Sequence, residues 1–330
     1  MPAAAPAPPT VARETRGPAD ALAARLSSGA LVRADEPLAK RTTLRVGGPA
    51  DVYVEPASEA DLAATLRFCA ERGLKFFILG RGSNLLVRDG GFRGVVICLA
   101  QPEFSRVKVD GERLRCGAGA KLKLVANEAK RHTLAGLEFL EGIPGSVGGA
   151  LRMNAGAMGG RTFDVVESVR VMDFVCTVGE LRRAEVPVEY RCCPLFLDHI
   201  ALVAVFRGQP GDRAEIDRRQ NEFNRLRWEV QPAAPSAGCI FKNPAAIPAG
   251  KLIDELGLKG TRVGGAMVSL EHANFIVNDG AATAADMLAL MEIIRTKARS
   301  ERGVELETEV EIVGDPWNPE RRTQSDTGNQ

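Results

Sequence analysis

Residues 235 to 244 read "PSAGCIFKNP", a cysteine set among turn formers and closed by a proline. Cys239 could be a buried small hydrophobe, a metal ligand, a nucleophile or a proton donor. A zinc site needs clustered Cys and His ligands. The three histidines, His132, His199 and His272, are far apart and no CxxC pair occurs, so no metal is expected. A thiol hydrolase pairing Cys239 with His272 is open, but it needs no glycine loops, and this chain has two. "LGRGSNLLVRDGG" (79–91) follows an apolar strand. Gly80 and Gly82 flank Arg81 and let main-chain N–H groups approach an anion, while Ser83 and Asn84 add side-chain donors. The bland alternative is a tight turn between strands. "GIPGSVGGALRMNAGAMGG" (142–160) carries the apolar anchors Ile143, Val147, Leu151 and Met153, so it is expected to be ordered, not a flexible linker. Its glycines suit close approach to another backbone or to a flat ligand. No GK[ST] follows either loop, and neither has the G-x-G-x-x-G spacing before a helix.

These groups need a scaffold. Ser58 followed by "EADLAATLRFCAERG" predicts a helix capped by Ser58, boxed by Asp61 and stopped at Gly73. "KFFILG" and "RGVVICL" read as buried strands, with Cys98 a core thiol. Residues 106 to 119 alternate as a hairpin turning at Asp110-Gly111, and "KLKLVANEAKRHTL" reads as a helix. Strands are expected at "VVESVRVMDF", "ELRRAEV" and "IALVAVFRG", then a charged helix at "DRAEIDRRQNEFNRLRWEV" that marks a boundary. A short helix near 250 to 257, the strand "HANFIVN", a long helix near 283 to 301 and a last strand "VELETEVEIV" complete the chain. In that strand Val304, Leu306, Val310 and Ile312 face one way, and Glu305, Glu307, Glu309 and Glu311 the other. By periodicity the four glutamates form a solvated face.

The 330 residues suggest two or three folded units. The 43 basic and 42 acidic residues nearly cancel, so no nucleic-acid footprint is indicated. No apolar run is long enough for a bilayer. The Ala/Pro-rich start reads as a disordered tail, not a signal peptide; the polar end, "DPWNPERRTQSDTGNQ", is a second tail, with Trp317 a possible anchor. An odd cysteine count without a secretory signal favours a reduced, cytoplasmic protein.

"TTLRVGGPAD" (42–51), the two glycine loops, Tyr190-Arg191, "PSAGCIFKNP", "VGGAMVSLEHANFIVN" (263–278) and "GVELETEVEIVG" (303–314) occur in that order. Together they resemble the UDP-N-acetylenolpyruvoylglucosamine reductases of peptidoglycan synthesis and cell wall biogenesis. The resemblance covers about residues 36 to 314, in the shorter form that lacks an additional substrate-covering insertion. It implies an α+β fold: an FAD-binding unit of the vanillyl-alcohol-oxidase type over 36–210, in subdomains of about 36–100 and 101–210, then an α+β substrate domain over 211–314. Residues 1–35 and 315–330 stay outside as tails.

The reaction so implied reduces UDP-N-acetylglucosamine enolpyruvate to UDP-N-acetylmuramate, with NADPH supplying hydride through FAD. Hydride addition to the vinyl group pushes charge into an enolate beside a carboxylate, which calls for donors aimed at that anion and a proton for the adjacent carbon. Arg191 matches the family's catalytic arginine, Glu309 its catalytic glutamate, and Cys239 stands where serine is usual as the proton donor. If Glu309 donates a hydrogen bond, its pKa should be raised. A thiol with pKa near 8.5 is still mostly protonated at pH 7. FAD would be held by Gly80, Arg81, Gly82, Ser83, Asn84, Gly145, Ser146, Gly148, Gly149, Asn154, Gly156 and Ala157. The sugar nucleotide would meet Tyr190, Lys242, Asn243, His272 and Asn274, with His272 equally suited to a structural role. Met158 replaces a common aromatic, and Cys193 a common serine. A monomer or weak oligomer is expected. The alternatives are another FAD oxidoreductase or oxidase of this fold, and a flavin-binding protein without turnover.

Overall fold

The computed structural model describes residues 17 to 317. The expected leading tail is ordered from residue 17 onward: helix α1 (Pro18–Ala23) buries Leu22 completely, and strand β1 (Leu31–Pro37) joins a sheet. Residues 1–16 and 318–330 lie outside the described residues.

The first lobe is a four-stranded sheet in the order β1, β2 (Pro49–Glu55), β5 (Phe92–Cys98), β3 (Phe76–Leu79). β1 runs antiparallel to β2, and the other pairs are parallel. Helix α2 (Glu59–Arg72) packs Leu62, Leu66, Phe68 and Cys69 inward. Its start differs from expectation in one detail. Ser58 caps as predicted, accepting from Asp61 N, but the Asp61 carboxylate accepts from Ser27 N and Oγ and from Ala57 N, tying down the lead-in chain. Gly73 ends the helix at φ 62°.

The second lobe is an antiparallel sheet of five strands. Its order is β9 (Val178–Arg182), β8 (Val166–Asp173), β10 (His199–Arg207), β7 (Arg113–Gly117), β6 (Val107–Asp110). Helices α3 (Leu122–Arg131) and α4 (Val147–Arg152) cover it. Asp110 pairs with Arg113, so the hairpin turns at Gly111-Glu112, one residue later than expected. One apolar core runs through both lobes, from Leu62 and Ile97 to Leu140 and Phe206. Cys98 lies outside that core: it is half-buried, packs against a smaller cluster with Tyr53, Leu79 and Val96, and lines a cavity between the lobes.

Helix α5 (Arg213–Val230) packs on the second lobe, where Gln220 Nε2 donates to Ala126 O at 3.1 Å and Lys130 pairs with Asp217. The expected boundary at 211 groups this helix with the second unit, whereas its buried Ile216 and Gln220 face the first. The second unit is a sheet in the order β11 (Ser236–Cys239), β14 (Phe275–Asn278), β13 (Ala266–Val268), β12 (Arg262–Val263), packed by α6 (Ala249–Glu255) and α7 (Ala284–Arg302). Its core, with Leu252, Met287 and Ile294, also takes in Leu44, Val46 and Leu86 of the first unit.

The long last strand is a correction. Only β15 (Glu311–Val313) is a strand, parallel to β4 (Leu85–Val87). Upstream the chain is bonded to a different partner: Lys242 N donates to Glu307 O and Glu309 N to Ile240 O. A segment that serves two units in turn cannot keep one register, although its alternation reads as a single strand. Nor is Glu311 a solvated residue, because Arg152 Nη2 donates to its Oε1 at 2.8 Å.

Candidate active site

Between the two lobes lies a cavity of about 1200 Å³, lined on one side by Tyr53, Gly80 and Arg81 and on the other by Ser146, Gly148 and Gly149. The two glycine loops meet it differently. The backbone N–H groups of Gly80, Arg81, Gly82 and Ser83 take no partner among the described residues. Gly82 sits at φ 61°, and a Cβ there would come 2.6 Å from Arg41 O. That loop is an open row of donors, the form that binds phosphate. In the second loop the donors are engaged: Val147 N donates to Ala120 O at 2.9 Å and Gly148 N to Ala118 O at 2.7 Å. Gly145 N likewise donates to Ile143 O. Gly156 and Ala157 form a small hairpin with Gly160 and Arg161, turned by Met158 at φ 50° and Gly159 at φ 83°. The expected aromatic position is thus a hairpin tip.

Sequence reasoning missed Thr42. The residue lines the cavity, and its hydroxyl, buried just behind that wall, has no hydrogen-bond partner among the described residues. An orphaned hydroxyl of this kind is rare unless a ligand satisfies it. The motif "TTLRVGGPAD" marked this segment but carried no role for it. Arg152 was also missed. It lines the same cavity and, through Glu311, ties it to the segment that carries Glu309.

Beyond that end of the cavity the structure gathers three distant residues. Arg191 occupies a tight turn closed by Glu189 N to Cys192 O at 2.8 Å, with Tyr190 beside it. It is held at φ 57°, an uncommon region for a side chain larger than asparagine. Its guanidinium lies over the Tyr190 ring at 5.4 Å. Arg191 Nε is 2.8 Å from Glu309 Oε1. The alignment is poor enough that Nε makes no hydrogen bond, so the two groups meet closely without closing a hydrogen-bonded ion pair. Glu309 is pulled up from the usual carboxylate range by burial, against the opposing charge of Arg191. That is the direction expected of a carboxyl group that must hold a proton.

Cys239 completes the group. Ser236 pairs with Val277 and Cys239 with Phe275, so two residues of β11 oppose one of β14. Gly238 absorbs this bulge at φ 76°, and the bulge re-aims the next side chain. Burial, reinforced by the charge of Glu309, pushes the thiol up to about 11. It is therefore more firmly protonated at neutral pH than an ordinary cysteine.

The other expected sugar ligands sit less centrally. Lys242 is partly exposed and pairs with Glu307 at 3.2 Å. Asn243 Oδ1 accepts from Ala249 N at the start of α6. His272 packs edge-on against Phe275, its Nδ1 accepts from Asn274 N, and burial lowers its pKa. Both are engaged in the fold. Asn84, Asn154 and Asn274 also have backbone partners, described below. All seven cysteines are free thiols.

A large cavity with open N–H donors at one wall, tied through Arg152 and Glu311 to the segment of a carboxyl–guanidinium–thiol centre, is the layout of a flavin-dependent oxidoreductase. An FAD-binding-domain family model matches residues 50–184. The model for the UDP-N-acetylenolpyruvoylglucosamine reductase C-terminal domain matches residues 231–313. The reductase of Heliobacterium modesticaldum is 45% identical over 283 residues, covering 85% of this chain and 90% of that protein. That of Clostridium novyi is 43% identical over 276 residues, covering 83% and 89%. The crystal structure of the Thermus caldophilus reductase (MurB) is 40% identical with a TM-score of 0.75, covering 86% of this chain and 99% of that one. The chain belongs to the UDP-N-acetylenolpyruvoylglucosamine reductase family.

Proposed function

We propose that the protein reduces UDP-N-acetylglucosamine enolpyruvate to UDP-N-acetylmuramate, drawing hydride from NADPH, in the cytoplasm and as a monomer or weak oligomer. The carrying observation is the convergence of Arg191, Glu309 and Cys239 from three segments beside the cavity. Residues up to about 230 hold FAD, and the rest completes the sugar site. Gly80 to Ser83 would cradle the cofactor's pyrophosphate through backbone N–H groups, and Thr42 would complete the polar contacts. FAD when bound supplies hydride transfer from the nicotinamide to the substrate.

The protein's own residues do the rest. Arg191, permanently charged and forked, suits the substrate carboxylate and the charge that develops on it. Glu309, protonated, donates a hydrogen bond to the enolate oxygen. The Cys239 thiol delivers a proton to the carbon adjacent to the one that received hydride, and the resulting thiolate recovers a proton from solvent. Tyr190 and Lys242 border the path of the sugar nucleotide.

The test is NADPH oxidation by the flavin-loaded enzyme with and without the enolpyruvyl sugar. Oxidation that depends on the sugar is expected. Rapid oxidation by oxygen alone, indifferent to the sugar, would replace this reading with an oxidase.

A further inference from the structure

Each reacting residue is carried on backbone that an asparagine side chain from elsewhere in the chain holds. Asn84 lies in the first glycine loop, just after its open N–H groups. Its Nδ2 donates to Glu309 O at 3.0 Å, and its main-chain carbonyl accepts from Glu311 N at 3.0 Å. Asn154, 7% exposed and itself at φ 39°, donates from Nδ2 to Glu189 O at 3.3 Å and accepts at Oδ1 from Phe163 N at 3.3 Å. Glu189 closes the turn that presents Arg191. Asn274, 2% exposed, binds Phe241 at both ends: Oδ1 accepts from its N at 3.0 Å, and Nδ2 donates to its O at 2.8 Å. The main-chain carbonyl of Asn274 accepts from Ile240 N, next to Cys239.

We propose that Asn84, Asn154 and Asn274 are positioning residues for Glu309, Arg191 and Cys239 respectively, and not ligands of cofactor or sugar. The inference rests on the catalytic reading of those three residues. Both ends of the Asn154 and Asn274 carboxamides and the donor end of Asn84 are bonded to protein backbone, and Asn274 also bonds the Cys239 thiol. The amide is also neutral. An aspartate at any of these positions would set a carboxylate against a carbonyl and add negative charge beside Glu309. Leucine would leave the backbone groups unpaired. Asparagine is the short side chain that pairs a carbonyl or an N–H without altering the field of Arg191.

Asn84 gives the sharpest test, because its place next to the cofactor loop predicts the opposite outcome. The flavin-loaded Asn84→Ala and Asn84→Asp variants are compared with wild type. The FAD dissociation constant is expected within about 3-fold of wild type, and the rate of flavin reduction by NADPH unchanged. Reoxidation by the enolpyruvyl sugar should fall roughly 10- to 100-fold, the scale of a reacting group misplaced by about an ångström. In Asn84→Asp the alkaline limb of reoxidation should also move to higher pH, because the added carboxylate disfavours ionisation of Glu309; Asn84→Ala should lack that shift. Hydrogen–deuterium exchange over residues 307–313 should accelerate, with 80–83 unchanged. An FAD dissociation constant weakened tenfold or more, with flavin-saturated reoxidation at the wild-type rate, makes Asn84 a cofactor ligand and overturns the proposal. So does unchanged exchange over 307–313. Should wild type itself not respond to the sugar, the proposed function fails, and the exchange measurement still decides the positioning role.

Discussion

The cofactor cleft and the reacting centre are built on opposite principles. The cleft is made largely of backbone: a row of open N–H groups at Gly80 to Ser83, and a second loop closed onto residues 118–120. The two segments lie within one folded unit, and each is contiguous in sequence. The centre is made of side chains under tension. Arg191 is held at positive φ, its Nε meets Glu309 without an aligned hydrogen bond, and Cys239 is aimed by a bulge. Its members come from residues 191, 239 and 309. Holding a cofactor asks for fixed, repetitive backbone donors that the ligand satisfies. Moving charge asks for groups whose own environment does not satisfy them. Changes in the cleft should therefore act on FAD affinity and spare chemistry, and changes in the centre should do the reverse.

The largest expected break is Cys239→Ala. Substrate reduction should fall roughly 10²–10⁴-fold, the span for losing a general acid, while flavin reduction by NADPH persists. Cys239→Ser should keep substantial activity. Both are read by following the two half-reactions separately, and normal turnover of the alanine variant would leave the thiol a packing group. Glu309→Gln should cost less, roughly tenfold, because an amide still donates a hydrogen bond but a weaker one. Its signature is in pH. Glu309 acts while protonated, so wild-type turnover falls as pH rises through a pKa lifted by burial. The glutamine variant should lose that limb and keep only one set by Cys239, whose thiol is still pushed up by burial although the Glu309 charge is gone. A profile unmoved by the substitution would remove Glu309 from the mechanism.

The same contrast explains what was legible in the sequence. The lobes were readable because their signals are local: the Ser58 cap, the Gly73 stop and the alternating strands around Val169 and Val203 all appear where expected. The loops could be found but not told apart, because glycine serves equally for approach to a ligand and approach to a chain. Whether an N–H is free depends on residues 118 to 120, which no motif links to 147. The reacting residues were found through the family's motifs; periodicity alone assigned Glu309 to a solvated face. The asparagine contacts were invisible, since each joins backbones far apart, such as Asn84 with Glu309. Cys98 misled because an apolar run on an edge of the cavity reads the same as one in the core.

On the cleft side, Gly80→Ala is the steric test. A Cβ there would come 2.8 Å from Ser146 Oγ and meet nothing else within 4 Å. Ser146 must then turn its hydroxyl away from the Gly149 N–H it accepts from, or the two loops must part. Overpacking of about 1–3 kcal/mol predicts FAD binding roughly tenfold weaker, read by flavin fluorescence titration. Turnover should recover at excess FAD. A turnover defect that persists with the flavin site full would mean that the cleft and the centre are not separable in this way.

Thr42→Val should have the smallest effect on turnover with the flavin site full, and a diagnostic sign. The buried Thr42 hydroxyl lacks a partner among the described residues, so without FAD it carries a desolvation cost of about 1–3 kcal/mol. Valine has nearly the same shape and removes that cost, so the FAD-free protein should melt higher. If FAD completes the hydroxyl's hydrogen bond, the same substitution removes a contact worth about 1 kcal/mol from the loaded state. The gain in melting temperature on adding FAD should then shrink, and the FAD dissociation constant should rise by the two effects together, roughly 30-fold or more. A hydroxyl that merely tolerates burial would give a different pair of results: both forms melt higher by the same amount, and FAD affinity does not change. The two melting curves together decide whether Thr42 belongs to the cofactor site, because the predicted effects on the free and the loaded protein have opposite signs only if it does.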